Sequence, residues 1–294
     1  MLEKKLFGEI EVLENTPLKN FSTAKIGGNA RFVVFPKNLV EVKSVFQVAK
    51  ENGLKTFVVG NGSNVLFSDN GFDGVVVSLR HFCKIKKIGD CVWCGAGTNL
   101  FALHKKLIEW GLGGLEWSYG IPATVGGMLK TNAGSFGHEI CEFVESVVCF
   151  EEGKLQKVDK NTLKFGYRWA NFGNKTILWV KLQLKNKLPN LIEKDCFENF
   201  AKKKKTQPLD FPSLGSVFKH SQKDGEIVYP AKLIDNLGLK GVKIGGAEIS
   251  KKHAGFVVNV DNATSKDFLD LVKLAECKCA KLGISLCREI LVLE

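Results

Sequence analysis

The stretch from Gly120 to Gly137 is crowded with glycine and small residues, yet it lies inside an ordered, apolar-periodic region. Few core segments carry so little side-chain bulk. Such a backbone can approach a large ligand closely. Glycine tolerates the contact and reaches conformations closed to other residues. Main-chain N–H groups in tight turns and at helix starts hold phosphate oxygens without a cationic side chain. A flexible surface loop is the alternative, but Pro122, Thr124 and Val125 are packing residues rather than filler. A second glycine-rich element, Val59-Gly60-Asn61-Gly62-Ser63-Asn64-Val65-Leu66, follows a strand-like run and forms a tight turn. Neither element is a Rossmann fingerprint, which needs G-x-G-x-x-G between strand and helix with an acid further on, and no Gly-Lys-Ser/Thr phosphate loop occurs. Two separate loops from neighbouring units suit an elongated ligand with a pyrophosphate at its centre, and FAD fits that description.

Around these loops the periodicity alternates between strand and helix. Residues 39–53 read as an amphipathic helix closed by glycine, flanked by strand-like runs at 31–35 and 56–59 in a β-α-β pattern. Strands are expected at 75–79, 83–88 and 91–95, and Thr98 stands where it would cap a helix from about 99 to 110, ended by Gly111. Residues 143–151 and 154–158 read as a hairpin turned at Glu152-Gly153, 177–184 as a strand and 191–205 as a helix. From Thr206-Gln207-Pro208 a new unit carries helices near 231–237 and 265–282 and strands near 242–249, 255–260 and 289–293. The expected chain is α+β, divided at 1–75, 76–205 and 206–294.

Charge raises a different possibility. A net charge of +11 invites a nucleic-acid partner. Against it, the arginines are only Arg31, Arg80, Arg168 and Arg288, and arginine is the preferred group for bidentate phosphate and base contacts. The lysines are spread out apart from Lys202-Lys203-Lys204-Lys205, read here as a solvated face or helix end. No nucleic-acid partner is expected, and a basic chain favours a polyanionic small molecule instead. No apolar run is long enough to span a bilayer, and residues 1–9 mix acids with bases and lack an apolar signal core, so the expected location is the cytoplasm. Separately, the expected state is a monomer. Nine cysteines, an odd count, are read as reduced thiols. Cys91 and Cys94 sit three apart on an expected strand and so face opposite ways. Cys277 and Cys279 have no histidines nearby, and no metal site is expected.

A longer series of motifs runs through the chain: Asn15-Thr16-Pro17-Leu18 with Ile26-Gly27-Gly28, then Gly60–Leu66, and Gly113-Gly114-Leu115-Glu116 running into Gly120–Gly137. It continues through Phe165-Gly166-Tyr167-Arg168, Gln207-Pro208-Leu209, Gly215-Ser216-Val217-Phe218-Lys219, Ala231-Lys232-Leu233-Ile234-Asp235, Gly238-Leu239-Lys240-Gly241 and Lys252-His253-Ala254-Gly255-Phe256. In this order and over nearly the full length, the series resembles the UDP-N-acetylenolpyruvoylglucosamine reductase (MurB) family, in its more compact branch. The resemblance implies a flavin fold of the vanillyl-alcohol-oxidase/PCMH type, with two FAD-binding subdomains and a C-terminal substrate domain. It implies reduction of UDP-N-acetylglucosamine enolpyruvate to UDP-N-acetylmuramate with NADPH as electron source, a cytoplasmic step of peptidoglycan synthesis. Cofactor contacts are then expected from Gly60, Asn61, Gly62, Ser63 and Asn64, and from Ile121, Pro122, Thr124, Val125, Gly126, Gly127, Asn132, Ala133 and Gly134.

The chemistry assigns roles to particular side chains. Hydride addition to the terminal carbon of an enolpyruvyl ether builds negative charge on the neighbouring carbon and carboxylate, and fixed donors aimed at developing charge are usually the largest catalytic term. Arg168, at the family's Tyr-Arg position, is the expected carboxylate clamp, because a guanidinium grips a carboxylate with two parallel hydrogen bonds. Ser216 is the expected proton donor: a hydroxyl is a weak acid, but the carbanion is strongly basic. Glu289 corresponds to the family's C-terminal acid and is expected to assist the enolate. Tyr167 and Lys219 are expected near the substrate. The chain departs from the family's pattern at Arg288, where proline is usual, at Ala123 for glycine, and at His220-Ser221 for Asn-Pro. His253 reads as a structural, hydrogen-bonded histidine. Two rival functions are an oxidase on the same flavin fold, passing electrons to oxygen, and a basic nucleic-acid-binding protein.

Overall fold

The computed structural model describes residues 4–223 and 226–294, so the first three residues of the stretch read against an export signal lie outside it. The chain forms two compact units. One comprises the chain up to Glu14, Phe32–Asn61 and Asp73–Lys203; the other comprises Asn15–Arg31, Gly62–Phe72 and Lys204–Glu294.

In the first unit, Asn38 opens helix α1 (Leu39–Glu51) by accepting from the Glu41 amide, and Val42, Val45 and Ala49 form its buried stripe. The strands on either side of α1, Asn29–Val34 and Lys55–Val59, are not neighbours. Phe72–Ser78 lies between them, pairing in parallel with Lys55–Val59, and Val12–Pro17 completes the sheet outside Asn29–Val34. The reason is visible in its side chains: all but Asp73 are buried, which suits a central strand covered on both faces. A second, antiparallel sheet runs in the order Lys154–Asp159, Val144–Glu151, Thr176–Gln183, Cys91–Gly95, Ile85–Ile88. Glu152 and Gly153 both take positive φ, 47° and 79°, which matches the right-handed twist of the hairpin they close. On Cys91–Gly95 the two cysteines part as expected: Cys94 is buried, while the partly exposed Cys91 thiol reaches Gln183 and Glu145 on other strands of the sheet.

Helix α2 (Leu100–Trp110) ends on Gly111 at φ 63°, but its cap is Asn99 rather than Thr98. Asn99 accepts from the Phe101 amide. Thr98 is fully buried, with its carbonyl taken by Val125 N–H, and so belongs to the layer beneath. The short helix α3 (Val125–Lys130) follows Thr124, and α4 (Pro189–Thr206) closes this part of the chain.

The second unit holds an antiparallel sheet of Ser213–Ser216, Phe256–Asn259, Ala247–Ile249 and Lys243–Ile244. Helix α5 (Pro230–Asn236) starts on proline, and α6 (Ser265–Ala280) starts on a capping box of Thr264 and Asp267. Phe268, Leu271, Val272, Ala275 and Cys279 bury one face of α6. The single strand expected at 289–293 is two. Cys287–Arg288 pairs with Phe218–Lys219, while Leu291–Leu293 runs parallel to Val65–Phe67. Glu289 and Ile290 make the step from one partner to the other.

Candidate active site

The two glycine-rich loops meet. A Cβ on Gly60 would lie 2.4 Å from Thr124 Oγ1, so no side chain fits at that crossing. Asn61 Nδ2 donates to the Pro122 carbonyl at 3.4 Å. The amides that residues 120–127 would present to a ligand are mostly used within the protein. Ile121, Ala123, Val125 and Gly126 donate to the carbonyls of Ser118, Ile121, Thr98 and Ala96, and Gly127 donates to Thr124 Oγ1. This stretch is therefore a rigid wall whose small residues give it shape. Among the described residues, the amides of Gly60, Asn61, Gly62 and Ser63 donate to no protein acceptor. The available amides of Gly60 and Asn61, beside the close-packed wall, suit the phosphate oxygens of FAD.

Next to the wall stand two small hairpins, Gly134–Ser135 with His138–Glu139, and Phe165–Gly166 with Trp169–Ala170. Tyr167 and Arg168 form the second tip, with Arg168 at φ 54°, uncommon for a residue with a side chain. The guanidinium is held from three sides. Nη2 donates to Gly134 O at 2.8 Å, Nη1 lies 3.6 Å from the Glu139 carboxylate, and the group sits 4.9 Å over the Tyr167 ring. Its side chain is 17% exposed, so the guanidinium is fixed and still reachable. Asn132 is wholly buried: its Nδ2 donates to Glu139 Oε2 at 2.7 Å and to Gly166 O at 3.0 Å, and its Oδ1 accepts from Cys141 N–H. Sequence reasoning lists Asn132 as a cofactor contact and leaves Glu139 out; in the structure both knit the two hairpins together.

A second missed residue is Lys203. It is 4% exposed and donates to the carbonyls of Trp117 and Tyr119, each at 2.9 Å, which fixes the chain entering Gly120. Burial lowers its pKa to about 8. The lysine run is thus not wholly a solvated face. Beside it, His104 bonds Ser118 Oγ at 2.9 Å and has its pKa lowered by burial to about 4, and Lys187 pairs with Glu116 at 2.9 Å. A signal was present: Ile192, Cys196 and Lys203 are the buried residues of α4 and recur at helical spacing.

In the second unit, Gly215 takes φ 76° and Ser216 follows at the strand's end, opposite Phe256. Val217 N–H donates to Gly255 O at 2.8 Å, and Val217 O accepts from Glu289 N–H at 2.8 Å. Ser216, at the end of its strand, and Glu289, just past Cys287–Arg288, therefore flank the Val217 backbone, with Lys219 three residues beyond Ser216 and opposite Cys287. Asn64 Nδ2 donates to Glu289 O at 3.0 Å, so one expected cofactor residue anchors the expected acid's backbone. Arg288 turns away from Glu289 and grips Glu276 of α6 with two bonds, 2.6 and 2.7 Å. His253 accepts from Gly255 N–H at 3.2 Å, and burial lowers its pKa, in keeping with a structural role.

The chain matches the FAD binding domain family over residues 30–159 and the UDP-N-acetylenolpyruvoylglucosamine reductase C-terminal domain over residues 207–293. It is 37% identical to UDP-N-acetylenolpyruvoylglucosamine reductase 2 of Bacillus cereus over 290 residues, 97% of this chain and 93% of that protein. It is 37% identical to the UDP-N-acetylenolpyruvoylglucosamine reductase of Caldicellulosiruptor saccharolyticus, over 90% and 85% of the two chains. The crystal structure of UDP-N-acetylenolpyruvylglucosamine reductase (MurB) from Thermus caldophilus superposes with a TM-score of 0.82 at 32% identity, over 97% of this chain and 99% of that one. The α+β fold, the glycine-lined loops and this near-complete match agree: the chain belongs to the UDP-N-acetylenolpyruvoylglucosamine reductase family.

Proposed function

We propose that the chain reduces UDP-N-acetylglucosamine enolpyruvate to UDP-N-acetylmuramate, with Arg168, Ser216 and Glu289 as its acting side chains. FAD, when bound, would supply the hydride chemistry that links NADPH to the terminal carbon of the enolpyruvyl double bond. The turn at Gly60–Asn64 would hold FAD through main-chain donors, and Ile121, Pro122, Thr124, Val125, Gly126, Gly127, Asn132, Ala133 and Gly134 are its other proposed contacts. Arg168 binds the enolpyruvyl carboxylate and stabilises the charge that develops there. Ser216 gives its hydroxyl proton to the carbon next to the carboxylate. Glu289 assists the enolate on its way to protonation, while Lys219 and Tyr167 bind the nucleotide sugar. The observation that carries the assignment is the fixed Arg168 guanidinium, in a chain with four arginines. Its companions in the proposal are a division at 1–75, 76–205 and 206–294, a monomer, a cytoplasmic location and no nucleic-acid partner. No described helix is long and apolar enough to cross a membrane.

The test separates the two half-reactions under anaerobic conditions. NADPH should bleach the flavin, and the enolpyruvyl nucleotide should restore its colour. Ser216→Ala should leave bleaching nearly intact and slow recolouring severely; an equal loss in both halves would remove Ser216 as proton donor. An oxidase would recolour with oxygen and ignore the enolpyruvyl nucleotide.

A further inference from the structure

We propose that Glu139 is a positioning residue for Arg168, aiming its guanidinium at the substrate carboxylate. This inference rests on the reading of Arg168 given above. The turn that carries Arg168 is only two residues long, and the residue itself sits at φ 54°, so its backbone alone does not fix a long, flexible side chain. Glu139 supplies what is missing. Its Oε1 lies 3.6 Å from Arg168 Nη1, on a part-buried pair where the charge is only partly screened. Its Oε2 accepts from Asn132 Nδ2 at 2.7 Å, and the same Nδ2 donates to Gly166 O, two residues before Arg168. Glu139 is itself held in place: its amide donates to Glu142 Oε1 at 2.7 Å. The carboxylate thus links a fully buried asparagine to the guanidinium, while Gly134 O anchors the other nitrogen. Gly134 belongs to the stretch that shapes the flavin wall, so the network joins that wall to the substrate clamp.

Glu139→Gln is the diagnostic change. It conserves shape and keeps an oxygen for Asn132, and it removes the charge facing Arg168. NADPH bleaching of the flavin should stay within twofold of the parent. Recolouring by the enolpyruvyl nucleotide should fall by about tenfold, the size of one charge-assisted contact, with half-saturation moved to higher substrate. Glu139→Asp, which retains the charge, should recover part of the loss. In an Arg168→Ala background, Glu139→Gln should produce no further slowing, because its effect passes through the arginine. Unchanged recolouring in Glu139→Gln, or equal loss of both half-reactions, overturns the proposal. So does an undiminished effect in the Arg168→Ala background. Failure of Arg168→Ala itself to slow recolouring would instead overturn the reading on which the proposal stands.

Discussion

At the residue scale, the clearest demands come from two glycines with opposite reasons. Gly60 is needed for space. Its missing Cβ lets Thr124 approach, so Gly60→Ala must push apart the two loops that flank the proposed pyrophosphate site. FAD affinity should fall by at least about tenfold, read by flavin fluorescence on titration. Gly215 is needed for conformation. A Cβ there would meet nothing within 4 Å, but φ is 76°, so Gly215→Ala should destabilise the chain by roughly 1–2 kcal/mol in a denaturant titration. FAD affinity should be unaffected. Arg168→Lys should recover little of what Arg168→Ala loses, because a point charge lacks the forked geometry of two parallel bonds. Both glycines and the arginine were legible as types at marked positions. Glu139 was not, because a carboxylate in the run Gly137-His138-Glu139 announces nothing until folding brings Arg168 beside it, 29 positions later in the chain by the numbering.

At the scale of elements, local chemistry spoke clearly wherever one signal sufficed. Glu152-Gly153 gave the hairpin, Gly111 the end of α2, and Thr264 with Asp267 the start of α6. Where two candidates stood side by side, packing decided: Thr98 and Asn99 can both cap, but Thr98 is drawn into the core. The lysine run shows the same limit. Four consecutive residues on a helix point in four directions about 100° apart, so one of them had to face inward. Which one depended on the register of Ile192 and Cys196. The buried Lys203 leaves a trace in pH dependence. Burial lowers its pKa to about 8 in the folded chain, from the ordinary 10.5. Below pH 8 the lysine is charged in both states; between these values the unfolded chain holds the extra proton, so stability rises with pH across that window. Lys203→Met should abolish this rise, with about 3 kcal/mol as its upper limit. His104 acts at the other end. As pH falls from 6.5 towards 4, the unfolded chain takes a proton that the buried ring refuses, and stability drops. Thermal midpoints of parent, Lys203→Met and His104→Gln across pH 4–11 would separate the two contributions.

For the whole molecule, the order of motifs along the chain carried the family, but the partition of the chain did not follow that order. The two compact units interleave three segments each, because residues 15–31 and 62–72 fold with the C-terminal part. Strand Val65–Phe67 pairs with Leu291–Leu293, a contact spanning most of the sequence that local periodicity cannot reveal. The net charge of +11 is also a property of the whole. Few arginines and a spread of lysines make a diffuse positive field rather than a groove that reads bases. Both proposed substrates, NADPH and the UDP-sugar ether, carry several negative charges, so this field should speed their encounter. The effect belongs to approach and not to the chemical step. Raising salt from about 50 to 500 mM shortens the screening length from roughly 14 to 4 Å. Across that range kcat/KM for both substrates should fall severalfold while kcat stays nearly constant. A change in kcat alone would place the salt effect inside the catalytic step. A flat kcat/KM would mean that the surplus of lysines does not act on substrate encounter.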